Sequence, residues 1–482
     1  MKTNTAARTT ATTHEGAKAG PQTAFAELRR AVSTCLLFED TFYETGSSIA
    51  ARVTELCAKV RPEELAALAV EARTSMHLRH VPLYLVRQLV RLHPGSRLAG
   101  DTLAAVIRRP DECSEFLSLY WQEKRQPLAA QVKRGLAFAF QRFSEYQLAK
   151  WNRDSKVKLR DALFLCHAKP KDEAQAALWK QLVDGTLAAP DTWEVALSSG
   201  ADKKATWERL LAGKLLGYSA LLQNLRNMEQ AGVDRSIARV ALVAGAPHAK
   251  VLPYRYIAAA KAAPAYEPAL EQAMLASLGA MPKLPGRTAL VVDVSGSMGG
   301  ALGGKSTLDR IDAACGLAML VREVCEDVEI YATGGCDHRQ QHATAALPPR
   351  RGFALRDAIH HAPCQLGGGG IFLKQCMDWI ADKLRTLGEQ PFARVIVFTD
   401  EQDCDHKANP ATARRLGTHN YIINVAPYKP SIDTSAGWRR ISGFSERVVE
   451  WIAIEEGVDT QAQAVDSDDE SGGSANGDAP AL

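Results

Sequence analysis

From about residue 24 to 280, apolar residues recur every three or four positions in one short segment after another, and no β-rich run interrupts them. "FAELRRAVSTCLLF", "SSIAARVTELCAKV", "PEELAALAVEAR", "VPLYLVRQLVRLH" and "DTLAAVIRR" each carry that spacing, which predicts an amphipathic helix with one apolar stripe. Several open on Pro, Asp or Ser, the residues suited to a first turn or a cap. Breaks at "HPGSRLAGD", "CHAKPKDE", "LAAPDT" and "LSSGADKK" keep each segment short. A short helix cannot bury its stripe alone, so the series predicts helix pairs stacked side by side as a solenoid. Such an array exposes a long surface relative to its core, which suits an extended ligand better than an enclosed small substrate.

After "MPKLPGR" the pattern changes. "TALVVDVS", "VEIYATG", "ARVIVFTD" and "NYIINVA" are short β-rich runs, separated by helical segments such as "STLDRIDAACGLAMLVREVC" and "IFLKQCMDWIADKLRTL". Alternation of strand and helix predicts a doubly wound α/β unit, its mostly parallel sheet covered on both faces. The organisation expected is an unstructured lead at 1–22, a helical-repeat domain at 23–284, an α/β domain at 285–455 and an acidic tail at 456–482.

At 482 residues the chain has room for two or three domains. No apolar run approaches the roughly 18 residues of a membrane span. The N-terminus lacks the apolar stretch of a secretory signal. Ten cysteines without a CxxC pair fit reduced thiols in a cytoplasm better than a disulfide framework. The net charge of +3 conceals an asymmetry. Residues 21–285 hold 36 Lys and Arg against 27 Asp and Glu, an excess of 9, whereas from Glu455 onward there are eight acids and no base. The Gly, Ser, Ala and Asp content of that tail cannot bury a core, so disorder is expected there. Such a tail could screen a basic surface from non-specific polyanions.

Within the second half, "TALVVDVSGSMGG" ends a buried strand in Asp293, Ser295 and Ser297. Asp400 ends another in "VIVFTD", with Glu401 and Asp403 just beyond. Ligands of open α/β sheets bind where strands end, at a switch point in strand order. A carboxylate, two hydroxyls and a second carboxylate make an all-oxygen set suited to Mg²⁺ or another hard divalent cation. The alternative is that the serines and glycines only shape a tight turn. The DxSxS spacing resembles the metal-ion-dependent adhesion site of von Willebrand factor A domains. That resemblance implies a threonine ligand from the glycine-rich loop "LGGGGIFLKQC", where this chain has Ile371.

The most basic stretch is residues 121–169, with eleven Lys and Arg against four acids. Phe138, Phe140, Phe143, Tyr146 and Trp151 are interleaved. Basic heads among rings suit RNA, although Phe140, Phe143 and Tyr146 could equally form the apolar stripe of a helix. A solvated face mixes signs, so the charge excess favours polyanion binding.

"RQPLAAQVKRGLAFAFQRFSEYQLAKWNR", "LRDALFLCHAKP", "YSALLQNLRNMEQAGV" and "VLPYRYIAAAK" resemble the TROVE module. TROVE joined to a von Willebrand factor A domain resembles the Ro ribonucleoproteins and their bacterial orthologues over residues 24–455. The resemblance implies a ring of HEAT-like helical repeats closed by the α/β domain, and a monomeric ring in solution. It implies binding of small noncoding (Y-like) RNA on the outer basic surface and of single-stranded RNA ends through the hole. It also implies partnership with an exoribonuclease such as polynucleotide phosphorylase. By matching motif the RNA-binding residues are Lys133, Arg134, Arg142, Lys150, Arg153, Lys156, Lys158, Arg160, His167 and Lys169.

Other patterns carry less. The Cys-Asp-His pairs at Cys336–His338 and Cys404–His406 lack the close spacing of a zinc site. "LGGGGI" lacks the GK[ST] of a phosphate-binding loop. His360 and His361 read as a surface pair, and no nucleophile stands in a recognisable catalytic context. A non-enzymatic RNA-binding protein is expected. The rival is a metal-dependent adaptor between proteins, with the oxygen cluster capturing an acidic partner.

Overall fold

Several helices begin and end where the sequence supplies partners for their terminal backbone groups. The computed structural model describes residues 23–458 except 35–44, 75, 77, 190–191, 199, 201, 250, 252, 279–280, 282, 303–306, 407–413, 427–436 and 443–446. The expected lead at 1–22 and nearly all of the acidic tail lie outside the described residues. Among them, sixteen α-helices precede the first strand. They are α1 (Ala24–Thr34), α2 (Gly46–Cys57), α3 (Pro62–Thr74), α4 (His80–Leu92), α5 (Arg97–Val106), α6 (Pro110–Tyr120), α7 (Ala130–Phe140) and α8 (Glu145–Trp151). After these come α9 (Leu159–Cys166), α10 (Glu173–Asp184), α11 (Trp193–Ser198), α12 (Lys203–Ala212), α13 (Tyr218–Gln230), α14 (Arg235–Gly245), α15 (Pro253–Ala262) and α16 (Glu267–Leu278). Ser144 opens α8 with a capping box: its hydroxyl accepts from the Gln147 amide at 3.3 Å, and Gln147 Oε1 accepts from the Ser144 amide at 3.0 Å. Asp172 caps α10 in the same sense, Oδ1 accepting from Gln175 N at 2.7 Å. Gly185, in the left-handed region at φ 72°, ends it.

The second half alternates. Strand β1 (Leu284–Asp293) leads to α17 (Arg310–Val324), β2 (Cys325–Cys336), β3 (Gln341–Leu347), α18 (Gly352–Leu366) and α19 (Leu373–Leu387). Then come β4 (Phe392–Thr399), β5 (Gly417–Asn424), β6 (Arg439–Ser442) and α20 (Arg447–Glu455). The sheet order is β3-β2-β1-β4-β5-β6, with β3 antiparallel to β2 and every other pair parallel. Period-two alternation buries β1 on both faces. Leu290 and Val292 join the core that contains α17, while Ala289 and Val291 pack with Leu373, Cys376 and Ile380 of α19. A doubly wound α/β domain beside a helical array is the architecture the alternating pattern predicted.

The apolar cores do not follow the change of pattern. One runs from Leu28 to Leu182. A second runs from Trp207 to Ala453 and fuses α12–α16 with α17, α18 and one face of the sheet. Helix α1, at the far end of the array, packs against β6 at the sheet's edge. The helices therefore touch the α/β unit at both ends and form a ring with it. No described helix is long and apolar enough to cross a membrane.

Candidate oxygen-ligand site and nucleic-acid interface

Strand order reverses at β1 and β4, which pair with each other and extend outward on opposite sides. Asp293 closes β1, and Asp400 follows the last residue of β4. Both are fully buried. Asp293 Oδ1 accepts from Ser295 N at 2.8 Å, and Oδ2 accepts from the Thr399 hydroxyl at 2.6 Å. The Ser295 and Ser297 hydroxyls stand 3.2 Å apart. Burial, and then the neighbouring Asp400 charge, push the Asp293 carboxyl up to about 7. The four residues expected as ligands are thus gathered at one strand-end crevice.

The glycine-rich loop 367–370 packs into this crevice. Gly296 N donates to Gly368 O at 3.0 Å, and a Cβ on Gly296 would meet that oxygen at 2.7 Å. On the far side Gly369 N donates to Gly335 O at 3.1 Å. Ile371 is fully buried, bridges to Asp403 and accepts from Cys404 N at 2.9 Å. It offers no side-chain oxygen. Sequence reading passed over Arg310, which is 1% exposed. Its Nη1 donates to Ser297 O at 2.8 Å and lies 3.5 Å from Asp400 Oδ2. Two buried carboxylates, one pushed upward by burial and then by the charge of the other, with two adjacent hydroxyls, fit a hard divalent cation. The set supplies four protein ligands and not five, and Arg310 already balances part of the charge.

Among the described residues one group of three His, Cys, Asp or Glu ligands lies close enough to hold a metal: Asp309, Asp312 and His360, with atoms within 4.8 Å of one another. Hydrogen bonds already engage it. Asp309 and Asp312 form the capping box of α17, His360 Nε2 lies 3.1 Å from Asp312 Oδ1, and Lys261 of α15 donates to Asp312 Oδ2. His360 is half-buried and bonded to a buried carboxylate, whereas His361 beside it is exposed. The two Cys-Asp-His loops lie side by side, His406 N donating to Gln340 Oε1 at 3.0 Å.

On the helical side, the basic residues fall into two kinds. Arg153, Lys156, Lys158, Arg160, His167 and Lys169 are exposed along the α8–α9 connection, α9 and its end. Their acidic neighbours are loose: Lys158 to Asp154 at 3.9 Å and Arg160 to Asp161 at 3.6 Å. Lys133 and Lys150 are half-buried. Arg134 pairs with Asp101 at 2.7 Å, and Arg142 donates to the Ala104 and Ile107 carbonyls at the end of α5, the latter at 2.9 Å. Arg142, although exposed, therefore braces a helix terminus. The rings divide likewise. Phe140, Phe143 and Trp151 are core, while Phe138 and Tyr146 are 47% and 46% exposed, Phe138 beneath Arg134 and Tyr146 beneath Lys150.

Residues 183–279 match the family model of the TROVE domain. That segment contains "YSALLQNLRNMEQAGV" and "VLPYRYIAAAK" and leaves out the basic stretch 121–169. The Ro (RSR) protein of Deinococcus radiodurans has a similar solved structure, at TM-score 0.57 and 18% identity, covering 90% of this chain and 100% of that one. No curated protein matches the chain by sequence. The likeness to Ro expected from motif order is borne out in the fold and in the TROVE segment.

Proposed function

We propose, on the premise of that fold and that TROVE segment, that the chain is a non-enzymatic RNA-binding ring. It holds a small structured, Y-like noncoding RNA and single-stranded ends of structured or misfolded RNA, and presents them to an exoribonuclease in the cytoplasm. The observation that carries this reading is the run of exposed cations from Arg153 to Lys169, five Lys and Arg whose acidic neighbours in the stretch are only Asp154 and Asp161. Phosphate contacts of that kind give affinity without reading sequence and release counterions, so binding falls steeply with salt. Purifying the protein from its host at low salt and sequencing the bound nucleic acid tests the reading. One abundant structured RNA, lost on charge reversal at Lys156 and Lys158, supports it; protein free of RNA at low salt refutes it.

A second reading rests on the strand-end oxygens. Asp293, Ser295, Ser297 and Asp400 would hold a divalent cation whose charge attracts a partner's carboxylate. In that case a stoichiometric protein is retained only with Mg²⁺. The cation reading also stands as a subordinate part of the first.

A further inference from the structure

We propose that an open groove between α6, α7 and α9 captures one unpaired RNA base, which lets the ring discriminate RNAs with a free or bulged nucleotide from fully paired ones. This rests on the RNA reading above and assigns a specific role to one place on that surface.

The groove has a volume of about 560 Å³, within the range of about 300–1,000 Å³ for small-ligand sites. Trp121, at the end of α6, and Phe164, in the last turn of α9, supply rings. Leu128 adds an apolar patch, and Arg125, Lys133 and His167 supply polar heads. None of the residues lining it is acidic, and Arg125 and Lys133 are basic, which suits a ligand carrying phosphate.

Phe164 faces out of the core, and Trp121, partly buried against it, lines the groove from the other side. Phe164 is 60% exposed, although Leu163 and Cys166 beside it are buried. Trp121 Nε1 donates to Gln126 O at 2.7 Å, which fixes the indole, and the Arg125 guanidinium lies over its ring at 5.2 Å. His167 adopts the left-handed region at φ 53°, which residues with a Cβ rarely enter. That conformation ends α9 and sets the imidazole at the rim, three residues beyond Phe164. Aromatic faces and guanidinium planes stack on any base, but a paired base within a duplex has both faces covered by its neighbours. Lys133 and Arg125 can meet the flanking phosphates.

The test uses the full chain and two RNA hairpins, one blunt and one with a single 2-aminopurine nucleotide overhanging at its 3′ end. Fluorescence of the analogue falls when it stacks on a ring. The wild type is expected to quench it and to bind the overhanging hairpin at least fivefold tighter than the blunt one at equal salt. Phe164→Ala and Trp121→Ala should abolish both differences and leave blunt-hairpin affinity unchanged, while Phe164→Tyr restores them. Phe164 is exposed, so its alanine variant keeps the fold and isolates the effect. Equal affinity for the two hairpins, or quenching that survives Phe164→Ala, overturns the groove while leaving the RNA reading intact. Failure to bind either hairpin overturns the RNA reading, and the groove with it.

Discussion

Lys261 on α15 donates a hydrogen bond to Asp312 on α17, joining the helical array to the α/β unit through a carboxylate with no exposed surface. Burial by itself raises that carboxyl, but His360, Lys261 and the Asp309 backbone outweigh it and hold it below the usual aspartate range. Lys261→Met leaves the charge buried with fewer partners. Removing one member of such a pair costs about 3–5 kcal/mol, and the lower end applies because Lys261 is partly exposed. Denaturant unfolding should show a loss of about 3 kcal/mol. Because the folded carboxyl is the more acidic, the stability it adds is present above the unfolded value of about 4 and is lost as pH falls below it.

Asp403 has the opposite sign. It lies fully buried beyond β4, where Oδ2 accepts from Leu373 N at the start of α19 and Oδ1 from Asp405 N, each at 2.8 Å. Burial dominates and pushes it up to about 7. The folded state then binds the proton more tightly than the unfolded chain, so this group's contribution declines as pH rises from about 4 to 7. Asp403→Asn should lessen the decline, Asp293 keeping its own share over the same range. Unfolding curves at pH 5 and pH 8 check it: an undiminished decline in the variant would assign the effect to another group.

Much of this was legible from one sequence because it follows periodicity. Stripes at three- and four-residue spacing gave the array, and an apolar run ending in Asp293, Ser295 and Ser297 gave the strand-end site. What stayed hidden depends on chain segments far apart in sequence. The core that unites Trp207 with Ala453 cuts across the change of pattern at residue 285, because stripes say which face is buried and not against what. Arg310 carries no signal in the sequence, and only the fold places it against Ser297 and Asp400. His360 gained a buried partner 48 residues away. Phe164 would read as core from spacing; only packing reveals that it is exposed.

The strand-end set makes a prediction about metal. If Asp293, Ser295, Ser297 and Asp400 hold a cation, Mg²⁺ raises the unfolding temperature of the wild type, since a ligand at 100 times its Kd stabilises by about 2.7 kcal/mol. Asp293→Asn and Ser295→Ala should remove the rise. Ile371→Thr should enlarge it by restoring a hydroxyl. A wild type indifferent to Mg²⁺ would mean that Arg310 and the hydrogen-bonded carboxylates are complete without a metal.

Arg142 and the Lys156–Lys158–Arg160 group carry the same charge yet predict different losses. Arg142, itself exposed, donates to the carbonyls that end α5, so Arg142→Ala strips those acceptors and should destabilise the fold by about 1 kcal/mol. RNA affinity in that variant should change little under conditions where it stays folded. Lys156, Lys158 and Arg160 are exposed, and the triple change K156A/K158A/R160A should shift stability by no more than about 0.5 kcal/mol per site. Its effect falls on RNA. Each lost phosphate contact removes about 0.7–0.9 from the slope of log affinity against log salt, the value depending on whether the strand is single or paired. Titrations from low to moderate salt with one structured RNA distinguish the two. A slope unchanged by the triple substitution would place the phosphate contacts elsewhere on the ring and remove the observation on which the RNA reading stands.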